Sequence, residues 1–384
     1  MMRKRIIVGL IAAITLSAAA IIALPIIRDN AREVIFADEQ MGNRIVSYAG
    51  TGEDDFRAKD LNKVKGLKIG YTGKYSTLVD IEKCRQLKKL EVGKTFDLDT
   101  EEHGHKEHDL EPESEERIQQ IKKELESILK NCPKLESLDL IGQEKYFELG
   151  DVSFLKNGKR LKSLAFRYQP ELDYSALSEC THLRTLVFQG CEMAELNMLS
   201  NLNELEFLEV TQSEVTEAGD IVDLQSLTEL ILDDAALAGN EQQLEKIFEN
   251  CPNIKKLTLV YGKRSEGLNN LEFLKKADKL EELTLVGQPE MDYSAISECY
   301  QLKRLGLLEC NISDFSILNG LENLESLNLT ATDISEAKDL LNLKNLKELD
   351  IIGTPLAENE EQLELIYQKF SDIDICQEMS DLGD

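Results

Sequence analysis

Four heptapeptides decide the fold: LKSLAFR from Leu161, LRTLVFQ from Leu183, LEFLEVT from Leu205 and LTELILD from Leu227, each 22 residues after the last. In all four the first, fourth and sixth positions are apolar. Positions four and six lie two apart, the spacing at which strand side chains share a face. Each unit therefore holds one short strand with one apolar side. A slip of one residue would turn that side to water, so the preserved phase implies one continuous stack.

The rhythm resumes further on with LEELTLV from Leu280, LKRLGLL from Leu302, LESLNLT from Leu324 and LKELDII from Leu346, again 22 apart. Longer units begin at Leu135 and Ile254, 26 residues before their successors, and units at Val64 and Leu87 bring the count to twelve. Cys132-Pro133 returns as Cys251-Pro252, Gln169-Pro170-Glu171 as Gln288-Pro289-Glu290, and Asp173-Tyr174-Ser175-Ala176 at Asp292, all at an offset of 119. A block of five units was thus duplicated with its phase kept. The longer units should carry helices on the side opposite the strands. Behind Ser114 as N-cap, the segment to Lys130 sets Ile118, Ile121, Leu125 and Ile128 on one face. Glu241 to Asn250 and Glu360 to Lys369 are its equivalents. Ile373-Asp374-Ile375-Cys376 falls in register with Ile254 to Leu257 and reads as a terminal capping strand.

These residues resemble the leucine-rich repeat family. Its pattern LxxLxLxx(N/C)xL is met by Leu183, Leu186, Phe188, Cys191 and Met193, and by Leu302, Leu305, Leu307, Cys310 and Ile312. The period and the Ile-Ser steps at Ile312-Ser313 and Ile334-Ser335 resemble the internalin type of bacterial surface repeat. The resemblance implies an α/β leucine-rich repeat solenoid: a curved array with a concave parallel sheet and convex loops and short helices. At roughly 1.5 to 3 kcal/mol for each buried apolar side chain, a single unit cannot fold alone, whereas a stack can.

Ahead of the repeats, residues 1–5 contain Arg3, Lys4 and Arg5, and residues 6–27 are apolar and uncharged. That 22-residue run makes a helix of roughly 33 Å, enough to cross a hydrocarbon core of about 30 Å. It reads as a single-pass transmembrane signal anchor, with Ser17-Ala18-Ala19-Ala20 leaving cleavage as the alternative. Positive charge stays inside, which places the repeats outside the cell. Residues 28–60 lack periodicity and are expected to form a stalk and N-terminal cap, and residues 61–384 form the repeat domain with an acidic, His-rich insertion at 94–113. The whole chain carries a net charge of −28, and beyond residue 27 it has 41 basic and 72 acidic residues, or −31. Such a body repels nucleic acid, and its only expected membrane contact is the N-terminal helix.

Eight cysteines outside the membrane would ordinarily suggest disulfides. Cys84, Cys132, Cys180, Cys251 and Cys299, however, each lie three residues before a unit, while Cys191 and Cys310 take the N/C position. A fixed place in the repeat argues for buried free thiols. His103, His105 and His108 form HxHxEH within the insertion and are the candidate metal ligands; a solvated loop is the simpler reading. The motif is similar to HxHxDH of the metallo-β-lactamase family, but the distal histidines that family needs are missing, since His182 is the only other histidine. With so few histidines a Ser/His/Asp triad is nearly unavailable, Gly50-Thr51-Gly52 lacks the third glycine of a phosphate loop, and no cofactor is implied. The duplicated Tyr174 and Tyr293 read as packing residues rather than ligands. No catalytic site is expected, and the chain is read as a non-enzyme.

Positions 3, 5 and 7 of each heptapeptide face away from the core, onto the concave side. That surface is mostly polar, as at Glu209, Asp233, Asn328 and Asp350. Position 7 is apolar in three consecutive strands, Val260, Val286 and Leu308, with Phe207 and Ile231 nearby. Valine is common on strands without any ligand, yet an apolar stripe facing solvent has no structural need. Lys255, Lys256, Lys303 and Arg304 flank it and are expected to orient an acidic partner. The partner-binding candidates are therefore Phe207, Ile231, Lys256, Val260, Val286, Arg304 and Leu308, for a protein or peptide ligand. The alternative is a metal-responsive or cell-wall glycan sensor working through the insertion. Protease added to intact cells should remove the repeats and leave a membrane-held stub; protected repeats would overturn the topology, and a mature N-terminus near Ala20 would overturn the uncleaved anchor.

Overall fold

In a computed structural model, the structure describes residues 33–70, 72–93, 114–142, 148–169, 172–193, 195–265, 267–288 and 290–378. The apolar run at 6–27 and the insertion at 94–113, with its three histidines, lie outside those residues. Among the described residues no helix is long and apolar enough to cross a membrane.

Each of the twelve units yields a strand, and the expected terminal strand makes a thirteenth. They are β1 (Gly66–Lys68), β2 (Lys89–Val92), β3 (Ser137–Ile141), β4 (Ser163–Arg167), β5 (Thr185–Gln189), β6 (Phe207–Ser213) and β7 (Glu229–Ala235). Then come β8 (Lys256–Val260), β9 (Glu282–Val286), β10 (Arg304–Leu308), β11 (Ser326–Asn328), β12 (Glu348–Asp350) and β13 (Asp374–Cys376). They form one 13-stranded sheet in sequence order, each strand parallel to the next. The first, fourth and sixth positions point into one core: Leu205, Leu208 and Val210 are fully buried, as are Leu283 and Leu285. Just before each strand, one carbonyl accepts two amides of the following unit. Glu281 O, for example, takes Lys303 N at 2.8 Å and Arg304 N at 3.1 Å. The same forked bond recurs at eleven consecutive junctions, from Lys65 O to Glu325 O.

The long units carry α2 (Glu115–Asn131) and α3 (Glu241–Asn250), with α4 (Glu360–Lys369) ahead of β13, each helix after an N-cap side chain from Ser114, Asn240 or Asn359. Ile118, Ile121, Leu125 and Ile128 are buried as expected. The last two helices sit 119 residues apart, and a half-buried contact shows the same duplication with altered chemistry. Lys122, 7% exposed, donates to Asp151 Oδ2 at 2.6 Å; in the second block Glu241 instead accepts from the Asn270 amide at 3.2 Å.

The aperiodic N-terminal stretch contains α1 (Glu39–Ala49) after N-cap Asp38, with Met41, Ile45, Val46 and Ala49 buried at helical spacing. Two carboxylates tie this cap to the repeats. Asp80 accepts from Ala37 N at 3.0 Å and Asp38 N at 2.9 Å, and Asp38 accepts from Ser76 N at 2.6 Å.

One expected register is corrected. β13 pairs so that Ile375, not Cys376, stands beside Leu349, and Asp374 alone donates to Lys347 O at 2.7 Å. The link after α4 is thus one residue shorter than the duplication implies, which places Cys376 on the open face. No disulfide joins any of the eight cysteines, and the other seven are buried. The thiols of Cys132, Cys180, Cys191, Cys251 and Cys310 reach carbonyls of the preceding unit, as Cys251 does to Ile221 O at 3.0 Å and Cys191 to Phe166 O at 3.4 Å, whereas Cys299 reaches Ala295 O of its own unit at 3.6 Å. Burial pushes the thiols of Cys84, Cys180 and Cys299 up to about 12 and those of Cys132 and Cys251 up to about 11.

Thiol titration should count close to eight in denaturant, while in the native protein Cys376 reacts well before the rest; two or more bridges would refute this. Burial raises the pKa of Asp151, but hydrogen bonds from Lys122 and Ser153 outweigh it and hold the carboxyl at about 2. Because the folded value lies below the unfolded one, the pair's stabilisation is present above about pH 4 and lost as pH falls toward 2. Lys122→Met should therefore lose less urea resistance between about pH 5 and about pH 2.5 than the parent does. Equal losses would show that this pair is thermodynamically silent.

Candidate functional site

The sheet register turns the open face into a lattice of three columns, taken from positions 3, 5 and 7. Val260, Val286 and Leu308 are direct cross-strand neighbours on β8, β9 and β10. Position 5 beside them is small, with Thr258 opposite Thr284 and Thr284 opposite Gly306. Ile231 lies diagonal to this row, since its register partner is Thr258 while Asp233 pairs with Val260. Phe207 lies one further diagonal step away, opposite Glu229. With strands about 4.8 Å apart, the five side chains form one path across five strands. All five are half-buried.

The path is longer than the sequence reading made it. Val187 on β5 and Ala165 on β4 are register partners at position 5, on the same open face, yet each is only 7% exposed. They extend the path beyond Phe207 by a step back to position 5, since Phe207 pairs with Thr185, two residues before Val187. The positional rule that selects Phe207 selects them too; attention to consecutive position-7 residues passes over them. Tyr174 and Tyr293 are buried, and Tyr174 packs edge-on between Phe166 and Phe188 at 5.1 and 5.2 Å, as packing residues do.

The basic candidates are placed where expected, but they are not free. Glu282 sits between Lys256 at 3.2 Å and Arg304 at 2.7 Å on one column, and Glu281 between Lys255 at 3.3 Å and Lys303 at 2.6 Å beside it. These exposed pairs add little to stability, yet they cancel the charge expected to attract an acidic ligand. Elsewhere on the face Arg167 pairs with Asp139 at 3.3 Å and Lys68 with Glu91 at 2.8 Å. Burial raises the Asp139 carboxyl, with Arg167 opposing. The metal candidates His103, His105 and His108 lie outside the described residues, and among those described no group of three or more His, Cys, Asp or Glu could hold a metal ion.

An internalin, inlF, from Listeria monocytogenes is similar in structure, with a TM-score of 0.53 at 20% identity over 89% of this chain and 95% of that one. TLR13 in a TLR13–ssRNA13 complex is also similar, with a TM-score of 0.51 at 16% identity over 83% of this chain. The chain spans about half (47%) of that TLR13 chain. No family model matches the chain, and no curated relative is similar in sequence. At such identities the likeness concerns the fold, and the fold is the leucine-rich repeat solenoid.

Because Val286 and Leu308 are half-buried rather than core residues, Val286→Asp with Leu308→Asp should keep a cooperative urea transition and lose no more than about 2 kcal/mol. Collapse to a molten state would assign both side chains to the core.

Proposed function

We propose that this leucine-rich repeat chain is a binding protein that docks a protein or peptide partner on the concave face of its sheet. The observation that carries the reading is the continuous apolar path from Ala165 through Phe207 and Ile231 to Leu308. In the core the same residue types are required by packing, but on the open face packing asks only for compatibility with a strand. Desolvating such a path against a partner supplies a hot spot, with small Thr258, Thr284 and Gly306 leaving room for inserted side chains. The net charge of −28 opposes a nucleic-acid ligand. The repeat scaffold and the paucity of histidine favour a non-enzyme. The anchor at 6–27 would hold this surface at the outer side of the cell membrane, where an extended open face can meet large ligands.

A partner retrieved with the chain and then titrated against it should lose at least about 2 kcal/mol of binding on Val286→Asp with Leu308→Asp. Leu365→Asp, on the exposed side of α4, should change nothing. Unaltered affinity in the first variant would reject the concave face.

A further inference from the structure

Resting on that docking reading, we propose that the occupant of the concave face is a basic peptide segment, whose lysine or arginine stems cross Ile231 while their cations reach Glu209, Glu229 and Asp233. Ile231 is the centre of the argument. Glu229 and Asp233 stand two residues to either side of it on the same face of β7, and Glu209 is directly opposite on β6. Thr258 completes the surround from β8. An apolar side chain ringed by three carboxylates matches the anatomy of arginine and lysine, which lay methylenes on apolar surface and keep the charge at the tip.

The local charge balance points the same way. Of the cations on the open face, Lys68, Arg167, Lys256 and Arg304 already hold ion pairs. Lys256 is opposite Glu229 in register, yet its ammonium is 3.2 Å from Glu282. Asp234 beside the ring is taken by Arg264 at 2.8 Å. Among the described residues Glu209, Glu229 and Asp233 have no ion pair, and the only neutral donor at Glu209 is the Thr211 hydroxyl at 3.2 Å. Burial and then the charge of Asp234 push the Asp233 carboxyl above its ordinary range, the direction expected where no cation compensates it. At the far end of the same face Asp350 is raised as well, by burial, Glu348 and Asp374. An acidic ligand would add charge to these groups; a basic one neutralises them while its apolar residues follow Val260, Val286 and Leu308. The charge preference inferred from the lysines alone is thereby reversed.

The test uses the purified full chain and three short soluble peptides, with leucine at every third place and serine between, interspersed with arginine, glutamine or glutamate. By fluorescence anisotropy the arginine peptide should bind at least about tenfold tighter than the glutamine peptide, and the glutamate peptide no tighter than the latter. Glu209→Gln, Glu229→Gln and Asp233→Asn together should remove that tenfold preference. Glu116→Gln, Glu245→Gln and Glu361→Gln, an equal charge change on the convex helices, should alter it less than about threefold. Equal losses in the two triple variants would mean diffuse attraction and overturn the proposal, as would a preference for glutamate or binding of none of the peptides. If the glutamate peptide wins and Val286→Asp with Leu308→Asp abolishes it, the docking face stands and only its charge assignment falls. If the double variant leaves arginine-peptide binding intact, the docking face itself is wrong.

Discussion

One carbonyl per unit, shared by two amides of the next, sets the geometry of the whole chain. Glu281 O holding Lys303 N and Arg304 N is one instance of a junction repeated from Lys65 to Glu325. Two donors on one acceptor fix both the position and the direction of the strand that follows, so every unit must return its chain to the same point. A unit of 22 residues can do so with short turns; a longer one must place its surplus on the convex side, which is where α2 and α3 lie. The buried row at positions 1, 4 and 6 depends on that pinning, because parallel strands that slipped by one residue would exchange core for solvent.

The duplicated block shows how much chemical change such a frame tolerates. Lys122 with Asp151 and Glu241 with Asn270 occupy equivalent places and join the same helix to the same loop, although donor and acceptor have traded sides. The N/C position behaves alike. Cys191 donates to Phe166 O, Thr332 to Leu329 O at 2.7 Å, and Ser213 accepts from Val215 N at 3.3 Å. In these three units a small polar group reaches turn backbone, where an unsatisfied buried amide or carbonyl costs about 1 to 3 kcal/mol; the unit from Leu227 has Ala235 there instead. Residue identity is secondary there.

That distinction explains what could be read from the sequence. Strands, helices, the terminal strand's existence and the burial of cysteines all follow from periodicity, and periodicity is printed in the sequence. Within the expected N-terminal cap, the helix α1 is not announced by any period because it occurs once, although Met41, Ile45, Val46 and Ala49 carry a helical spacing within a single short segment. The register of β13 differs by one residue from the duplication because the last forked hydrogen bond is at Glu325 O, and Lys347 O takes only Asp374 N. Where the frame ceases to impose phase, counting residues ceases to predict it.

The same limit governs the candidate site, and it separates its two ingredients. Which side chains face outward is a local property, legible at Val260, Val286 and Leu308 from alternation alone. Which charges remain uncompensated is a relation between neighbours 22 to 27 residues apart, as with Glu282 between Lys256 and Arg304. A tally of lysines therefore suggests a positive rim, whereas the cross-strand columns show those lysines consumed and the carboxylates around Ile231 left over. The scaffold is indifferent to this outcome, since exposed pairs contribute little to its stability. Charge on the concave face is thus free to vary without cost to the fold, and its arrangement carries information about what the face meets.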